Sequence, residues 1–314
     1  MNSVFLYIHN SVYICRNHVL KKIKMKVRFL FLLFLPVIFA CNTITKKASD
    51  DQDNQLKIIS TPEDEEILKT FIDLFSGQED ASTSDIMIKA GTFLLNTPYV
   101  EHTLEYEPEL LIINLRELDC TTFVENCLAL TRTLKAKKHD FEQFAKELMN
   151  IRYRDGKIDG YASRLHYFSD WIFVNTKKNL VSDVAKEIAE TPLILKINYM
   201  SVHPESYRQM HDSTLISVIA EQEREISARK MYYIPKTKLA EIEDKLIDGD
   251  IIAITTETEG LDVLHTALLI RKNGIIHILH ASSVAGKVII AEETLENYLM
   301  NNKRATGIMV ARPL

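Results

Sequence analysis

Cysteine is scarce in this chain, and the few cysteines do not have the spacing of a zinc site or of a disulfide framework. The four are Cys15, Cys41, Cys120 and Cys127. No pair has zinc-finger spacing, and four thiols are too few for a disulfide-stabilised scaffold. A helical HExxH motif is absent too, and a spacing of three puts His277 and His280 on opposite faces of a strand. We therefore expect no metal and no cofactor.

Long runs of one charge are also absent, as are internal repeats and low-complexity segments. The net charge is -5, so the chain has no basic footprint and we expect no nucleic-acid partner. Hydrophobic residues make up 46% of the sequence and charged residues 26%, which is ordinary for a soluble globular protein. The 314 residues suffice for one large domain or two small ones.

Residues 1–41 have the pattern of an export signal. Lys21–Arg28 is basic and Phe29–Ala40 is almost continuously apolar. About a dozen apolar residues are too few to span a bilayer, but they suit the core of a secretory signal. Ile38–Cys41 resembles a bacterial lipobox, which implies cleavage before Cys41 and lipidation of its thiol. Met25 is then the expected start, and an uncleaved N-terminal anchor helix is the alternative.

The expected product is an exported, periplasmic lipoprotein that is attached to the membrane through Cys41. Residues 42–60 are expected to be a flexible tether, because Asn42–Gln55 is polar and lacks apolar periodicity. The folded domain is then expected at residues 61–314.

Within residues 61–314, helical periodicity comes first and alternating β patterns come last. Helices are predicted at about Pro62–Phe75, Ser84–Leu95, Asp140–Ile151, Thr214–Ala228, Lys238–Lys245 and Glu292–Asn301, and strands at Met231–Ile234, Ile251–Thr255, Leu264–Arg271, Ile275–His280, Lys287–Ile290 and Gly307–Ala311. Helices followed by an antiparallel sheet are typical of an α+β domain. The charged run Glu221–Glu225 is expected to be a solvated helix face.

A further helix is predicted to begin at Cys120, with Asp119 as its N-cap, because helix-spaced apolar residues follow. Unpaired backbone N–H groups and the positive dipole end there favour thiolate, which is the nucleophilic form. Cys127 lies two turns further on, about 10 Å away, which is too far for a disulfide. We expect Cys127 in the core; for Cys120 these residues alone support a nucleophile and a structural cysteine equally.

The late strands carry the histidines that a cysteine nucleophile needs as a base. Asn273-Gly274 predicts a two-residue hairpin turn in which Lys272 pairs with Ile275. In that register His265 and His280 are diagonal neighbours on one face, roughly 7 Å apart at Cβ. His277 falls on the other face, although a slip of one residue would exchange it for His280.

The order of these elements resembles the NlpC-type papain-like cysteine cell-wall hydrolases, and within them the N-acetylmuramoyl-L-alanine amidase-like family. The strings that carry the resemblance are Thr97–Tyr99, Asp119–Glu125 (DCTTFVE), Ser163–Trp171 (SRLHYFSDW), Tyr233–Lys236, His265 and His280–Ser283. It covers about residues 63–314. Thr121 stands where the wider superfamily has serine.

The resemblance implies a papain-like α+β fold, with the nucleophile helix packed on an antiparallel sheet and a large insertion at about residues 152–236. It implies hydrolysis of peptidoglycan or muropeptides at the amide between the muramic acid lactyl group and the first L-alanine of the stem. Cys120 is the implied nucleophile, His265 the base and His280 the orienting third member. A γ-D-glutamyl endopeptidase and a catalytically dormant, lipid-anchored binding module are the alternatives.

Substrate-binding residues are expected around the nucleophile and in the insertion. The candidates are Tyr99, Asp119, Arg164, His166 and Tyr167. Arg164 would bind a stem carboxylate as a fork, and His166 would hydrogen-bond a polar substrate group. Tyr167 and Trp171 would either stack on sugar faces or fix the insertion to the core.

Overall fold

The computed structural model describes residues 57–189 and 191–314. The predicted signal, the lipidation site at Cys41 and the tether up to residue 56 lie outside these residues. Within the described ranges, no helix combines the length and the apolar character needed to cross a membrane. Ile58–Ile59, at the end of the predicted tether, pairs in parallel with Leu111–Ile112. The folded part therefore includes residues before position 61.

The helices come mainly from the first part of the described chain and the long strands from the last. The helices are α1 (Pro62–Phe75), α2 (Thr83–Phe93), α3 (Cys120–Lys135), α4 (Phe141–Arg152), α5 (Phe168–Lys177), α6 (Val184–Ile188), α7 (Tyr199–Val202), α8 (Ser213–Ser227), α9 (Leu239–Ile242) and α10 (Leu295–Asn301). The strands are β1 (Ile58–Ile59), β2 (Leu111–Ile112), β3 (Val181–Asp183), β4 (Thr191–Leu193), β5 (Met231–Pro235), β6 (Ile251–Thr256), β7 (Val263–Lys272), β8 (Ile275–Ser282), β9 (Lys287–Thr294) and β10 (Ala305–Pro313).

The main sheet has the order β4-β5-β10-β6-β7-β8-β9, and β3 pairs with β10. Its pairs are antiparallel. The predicted α+β class with an antiparallel sheet is confirmed.

Helix α3 is the centre of the core. It packs between α2 and α4 and lies against β7 and β8. Phe123, Val124 and Cys127 are fully buried, and they share a hydrophobic cluster with Leu268 and Leu279 of the sheet. The prediction that Cys127 is a core residue is confirmed, and the rigid packing fixes the N-terminus of α3 against strand β7.

The β7–β8 hairpin has the predicted register. Asn273 and Gly274 both have positive φ, at 52° and 83°, as a type I′ turn requires. Lys272 pairs with Ile275, and His277 lies opposite Ile270. The turn therefore sets the predicted pairing of β7 with β8, with no shift by one residue.

The segment predicted as an insertion is more integrated than expected. It contains α5 to α8 and β3 to β5, and both β3 and β5 hydrogen-bond to β10 of the main sheet. The prediction of a solvated Glu221–Glu225 face is wrong for Glu223, which is 1% exposed. Its carboxylate accepts the backbone N–H groups of Met200 and Ser201 at 3.0 and 3.1 Å. A buried carboxylate thereby ties α7 to α8.

Two predicted helices are shorter than their patterns. Strand β9 continues to Thr294, whose hydroxyl caps α10 by accepting the N–H of Asn297 at 3.2 Å. The predicted helix from Lys238 to Lys245 is α-helical only at Leu239–Ile242, with 3₁₀ turns on both sides. In both places a local capping or turn geometry stops a helix that apolar spacing alone would extend.

Candidate active site

Asp119 fixes the start of the nucleophile helix. Its carboxylate accepts the N–H of Thr122 at 2.7 Å, and the Thr122 hydroxyl accepts the N–H of Asp119 at 2.9 Å. This reciprocal capping box confirms the predicted N-cap. The Asp119 carboxylate is thus committed to the helix terminus, and its predicted role in substrate binding stays a prediction.

Cys120 is held against the strand that carries the candidate base. The hydroxyl of Thr266, the residue after His265, donates to the Cys120 carbonyl at 2.7 Å. Thr266 and Thr121 are also the groups that favour the charged form of the Cys120 thiol. The backbone N–H groups of Cys120 and Thr121 are the first two of the helix and so have no intrahelical acceptor. They are positioned to bind an oxyanion next to the thiol.

His265 and His280 form a direct pair, as the hairpin register predicted. His265 Nε2 and His280 Nδ1 are 2.6 Å apart, and the rings are nearly perpendicular. If His265 donates through Nε2, its Nδ1 keeps a lone pair for the proton of the thiol. His280 is 3% exposed, and its predicted role as the orienting group stays a prediction. His277 instead contacts the Ala291 carbonyl at 3.0 Å.

Burial shifts the pKa of all three titratable groups of the site towards the neutral form. It raises the pKa of the Cys120 thiol to about 11, and the charge of Asp119 adds to this effect. It lowers the pKa of His265 to about 3, with His280 as the second cause, and the pKa of His280 to about 4. Burial and the Asp119 charge therefore oppose the thiolate that the helix terminus favours, and activation of the resting thiol stays a prediction. Desolvation is the largest cause of the raised pKa, so a Cys120 that acts as a nucleophile would lose its proton during attack.

Tyr99 lies next to the nucleophile helix, as its sequence motif implied. Its backbone bridges Leu118 in parallel, one residue before the cap. Its hydroxyl donates to Glu101 at 3.1 Å, and burial is the main cause that raises its pKa. Tyr99 therefore stays protonated and offers a hydroxyl at this edge of the site.

Two neighbouring cavities, of about 160 Å³ each, extend from Thr121 along the insertion. Both are lined by His166 and Leu165, and one of them also by Asp119 and Arg164. They form the cleft that begins at the nucleophile helix, and the structure brings His166 and Arg164 to it as the sequence predicted.

The guanidinium of Arg164 is already paired with acidic side chains of the protein, unlike one that is free to bind a substrate carboxylate. Its guanidinium donates to Glu105 at 2.7 Å, lies 3.4 Å from Glu109 and sits over the ring of Tyr161. Glu109 also accepts the hydroxyl of Tyr153 at 2.8 Å. Two carboxylates surround one guanidinium, so an incoming substrate carboxylate would have to displace Glu105. The stem-carboxylate role of Arg164 stays a prediction.

His166 and Tyr167 take different positions in the cleft wall. His166 Nε2 contacts the Tyr161 carbonyl at 2.9 Å, and burial lowers the pKa of His166 to about 3, so it is neutral. Tyr167 donates its hydroxyl to Glu223 at 2.6 Å. Trp171 is fully buried and stacks on Phe168. Trp171 therefore packs the insertion onto the core. The hydroxyl of Tyr167 helps to hold the insertion together through its hydrogen bond to Glu223, while the ring of Tyr167 lines the cleft.

Sequence patterns did not reveal several residues that build the site. Thr266 anchors Cys120, and Tyr298 of α10 packs against both histidine rings. Glu109 and Tyr161 surround Arg164 from distant parts of the chain. Only Thr266 had a usable signal, because it directly follows the candidate base. Within residues 57–189 and 191–314, no group of three or more His, Cys, Asp or Glu residues is placed to hold a metal ion.

The chain is similar to several solved structures, and it also matches the model of a protein family. A crystal structure named as an N-acetylmuramoyl-L-alanine amidase from Bacteroides uniformis is 41% identical, with a TM-score of 0.71, and the match covers 74% of this chain and 98% of that one. A Bacteroides fragilis structure, described as a candidate xylanase, is 42% identical over 71% of this chain and 98% of that one, with a TM-score of 0.66. A Legionella pneumophila protein of the DUF1460 family is 20% identical, with coverage of 80% and 95% and a TM-score of 0.61, and it shows the same fold alone. No curated protein matches the chain.

Residues 89–308 match the model of the AmiA-like, N-acetylmuramoyl-L-alanine amidase-like family. The chain belongs to this family. The matched range includes Cys120, His265 and His280 together with the whole cleft described above.

Proposed function

We propose that this protein is a cysteine amidase that hydrolyses the bond between N-acetylmuramic acid and L-alanine in peptidoglycan or in muropeptides. Membership of the amidase-like family supports the substrate class. The observation that carries the mechanism is the pair of His265 Nε2 and His280 Nδ1 at 2.6 Å, in which His265 lies on β7, the strand that anchors Cys120 through Thr266. A nucleophile, a base and an orienting group in this order form a catalytic triad.

In the proposed reaction, His265 Nδ1 takes the proton of the Cys120 thiol as the sulfur attacks the lactyl carbonyl. The resting thiol is protonated, with its pKa raised to about 11 by burial, so deprotonation and attack occur together. The backbone N–H groups of Cys120 and Thr121 stabilise the oxyanion. His280 holds the imidazole and stabilises its charged form.

The imidazolium of His265 then donates its proton to the amine of L-alanine, and the stem peptide leaves. The muramoyl group stays on sulfur as a thioester. A water that gives its proton to His265 attacks this thioester, which releases the lactyl carboxylate and restores the thiol. His265 takes up and releases each proton through Nδ1, so its Nε2 can remain hydrogen-bonded to His280 throughout.

The same proposal includes an NlpC-type papain-like fold and attachment to a membrane through an N-terminal lipid. The nucleophile helix α3 on the antiparallel sheet, with its base on β7, supports the fold. The basic and apolar pattern before Cys41 supports export, lipidation at that cysteine and a periplasmic location.

A digestion of defined disaccharide muropeptides, followed by mass spectrometry, tests the proposed bond. The wild type should release an intact stem peptide and a free disaccharide. Cys120→Ala and His265→Ala should lose this activity and keep their circular dichroism spectra. Cys127→Ala is the matched control, since its thiol is fully buried in the core and it should retain turnover.

The other outcomes separate the alternatives. Cleavage within the stem, which leaves L-alanine on the sugar, would identify a γ-D-glutamyl endopeptidase. Binding of muropeptide without any product would identify a dormant binding module. Wild-type turnover by Cys120→Ala would exclude the cysteine mechanism.

A further inference from the structure

The histidine pair is completed by a third aromatic ring. Tyr298, on α10, lies with its ring centroid 6.4 Å from that of His265 and 5.8 Å from that of His280. Its plane is 26° from the first imidazole and 83° from the second. The two imidazoles are themselves 4.8 Å apart and perpendicular. The three rings therefore pack as a closed triangle with both stacked and edge-on contacts, which are the favoured geometries of aromatic pairs.

Tyr298 also lines two open clefts beside this triangle. One cleft, of about 430 Å³, is lined by His280, Glu293 and Tyr298, and the second, of about 400 Å³, is lined by Glu293 and Tyr298 again. In spite of these neighbouring volumes, His280 remains 3% exposed. The tyrosine ring is therefore part of the wall that covers His280 on that side.

We infer that Tyr298 is a positioning residue that holds the His265–His280 pair in place and keeps water away from it. This inference rests on the proposed function of the site, in which His265 must be a neutral base. A dry environment strengthens the hydrogen bond between the imidazoles, because the local dielectric constant is low. It also disfavours the charged imidazolium in the resting protein, so the base stays ready at acidic pH.

Charged and titratable groups face the pair from three directions. Cys120 of α3 lies on the substrate side, and Glu292 and Glu293 of β9 line the cleft beside His280. Lys303 and Arg304, after α10, line the second cleft beyond Tyr298. The nearer charges are carboxylates, which favour imidazolium. Water entry and these carboxylates therefore act in the same direction and raise the pKa of the pair.

The variants Tyr298→Phe and Tyr298→Leu test this inference. Phe keeps the ring and removes the hydroxyl, whereas Leu removes the stacking and opens the wall. NMR titration of the two imidazoles, assigned with His265→Ala and His280→Ala, should find both neutral above about pH 5 in the wild type and in Tyr298→Phe. In Tyr298→Leu, at least one imidazole should titrate closer to its ordinary pKa of 6.5.

Kinetics supply the second measurement. A base is inactive when protonated, so activity falls as the pH drops through its pKa, and a raised pKa moves this loss to higher pH. The acid limb of the kcat/KM profile should rise by about one pH unit or more in Tyr298→Leu, with kcat reduced about tenfold and KM changed less than about twofold. Tyr298→Phe should overlay the wild type.

Either of two results would overturn the inference. The first is an unchanged pair of imidazole pKa values in a folded Tyr298→Leu protein, and the second is a Phe variant as impaired as the Leu variant. The NMR titration needs no substrate, so it remains decisive even if the wild type cleaves no muropeptide. In that case the proposed function fails while the wall role of Tyr298 is still measured.

Discussion

Alkylation of Cys120 by iodoacetamide tests whether the resting thiol carries a proton. Burial raises its pKa from the ordinary value of 9.0 to about 11, and the charge of Asp119 acts in the same direction. The neutral histidine pair offers no compensating positive charge at neutral pH. We therefore expect slow alkylation at pH 7 and a rate that increases about tenfold for each pH unit up to about pH 10.

The magnitude follows from two opposing effects. A rise of the pKa from 9.0 to about 11 lowers the thiolate fraction at pH 7 by about 100-fold. A more basic thiolate is also a stronger nucleophile, which recovers about tenfold. Cys120 should thus react about ten times more slowly than an ordinary exposed cysteine, although the residue is partly exposed.

The assay is stopped-flow or mass-spectrometric alkylation across pH 6 to 10, with Cys120→Ala subtracted to remove the other cysteines. Asp119→Asn is the informative variant, because Asn caps helices as well as Asp and removes the negative charge. It should raise the rate at pH 7. A fast rate that is flat between pH 5 and 8 would refute the reasoning, since it would mean a preformed thiolate–imidazolium pair.

Further predictions concern the orienting group, the cleft and the core. His280→Ala should lower kcat by at least about tenfold, because His265 loses its partner at 2.6 Å; His277→Ala, on the opposite face, should leave kcat unchanged in the same assay. Tyr161→Phe should leave the free energy of unfolding unchanged or raise it in urea titrations, since its buried hydroxyl has no hydrogen-bond partner in the described part of the chain. Arg152→Met should lower the free energy of unfolding by about 3–5 kcal/mol in urea titrations, because Glu125 loses its buried partner at 2.6 Å.

The parts of the site that depend on local geometry were predictable from the sequence. An N-cap residue before apolar spacing located the start of α3 to the residue. Asn273-Gly274 fixed the pairing of β7 with β8, and this pairing placed His265 beside His280 and His277 away from them. Each of these features follows from residues a few positions apart, where turn chemistry and side-chain alternation leave few choices.

Long-range contacts were not predictable in the same way. Glu105 and Glu109 meet Arg164 across more than fifty residues, and neither carries a motif. Glu223 belongs to a charged run that predicted a solvent-exposed helix face. Its position on α8 instead faces the interior, and Glu223 is buried. Apolar spacing identifies a buried helix face only when the buried residues are apolar, so a buried carboxylate with backbone donors gives no signal.

The raised pKa of the Cys120 thiol results from several groups that act in opposite directions. The helix terminus supplies N–H groups that favour thiolate, and this effect was visible in the sequence. The same terminus is capped by Asp119, whose carboxylate opposes thiolate, and the α3 packing desolvates the sulfur. The capping box that positions Cys120 therefore also keeps it protonated. In the proposed mechanism, reactivity then comes from His265 at the moment of attack, which makes the alignment of the histidine pair a determinant of the rate.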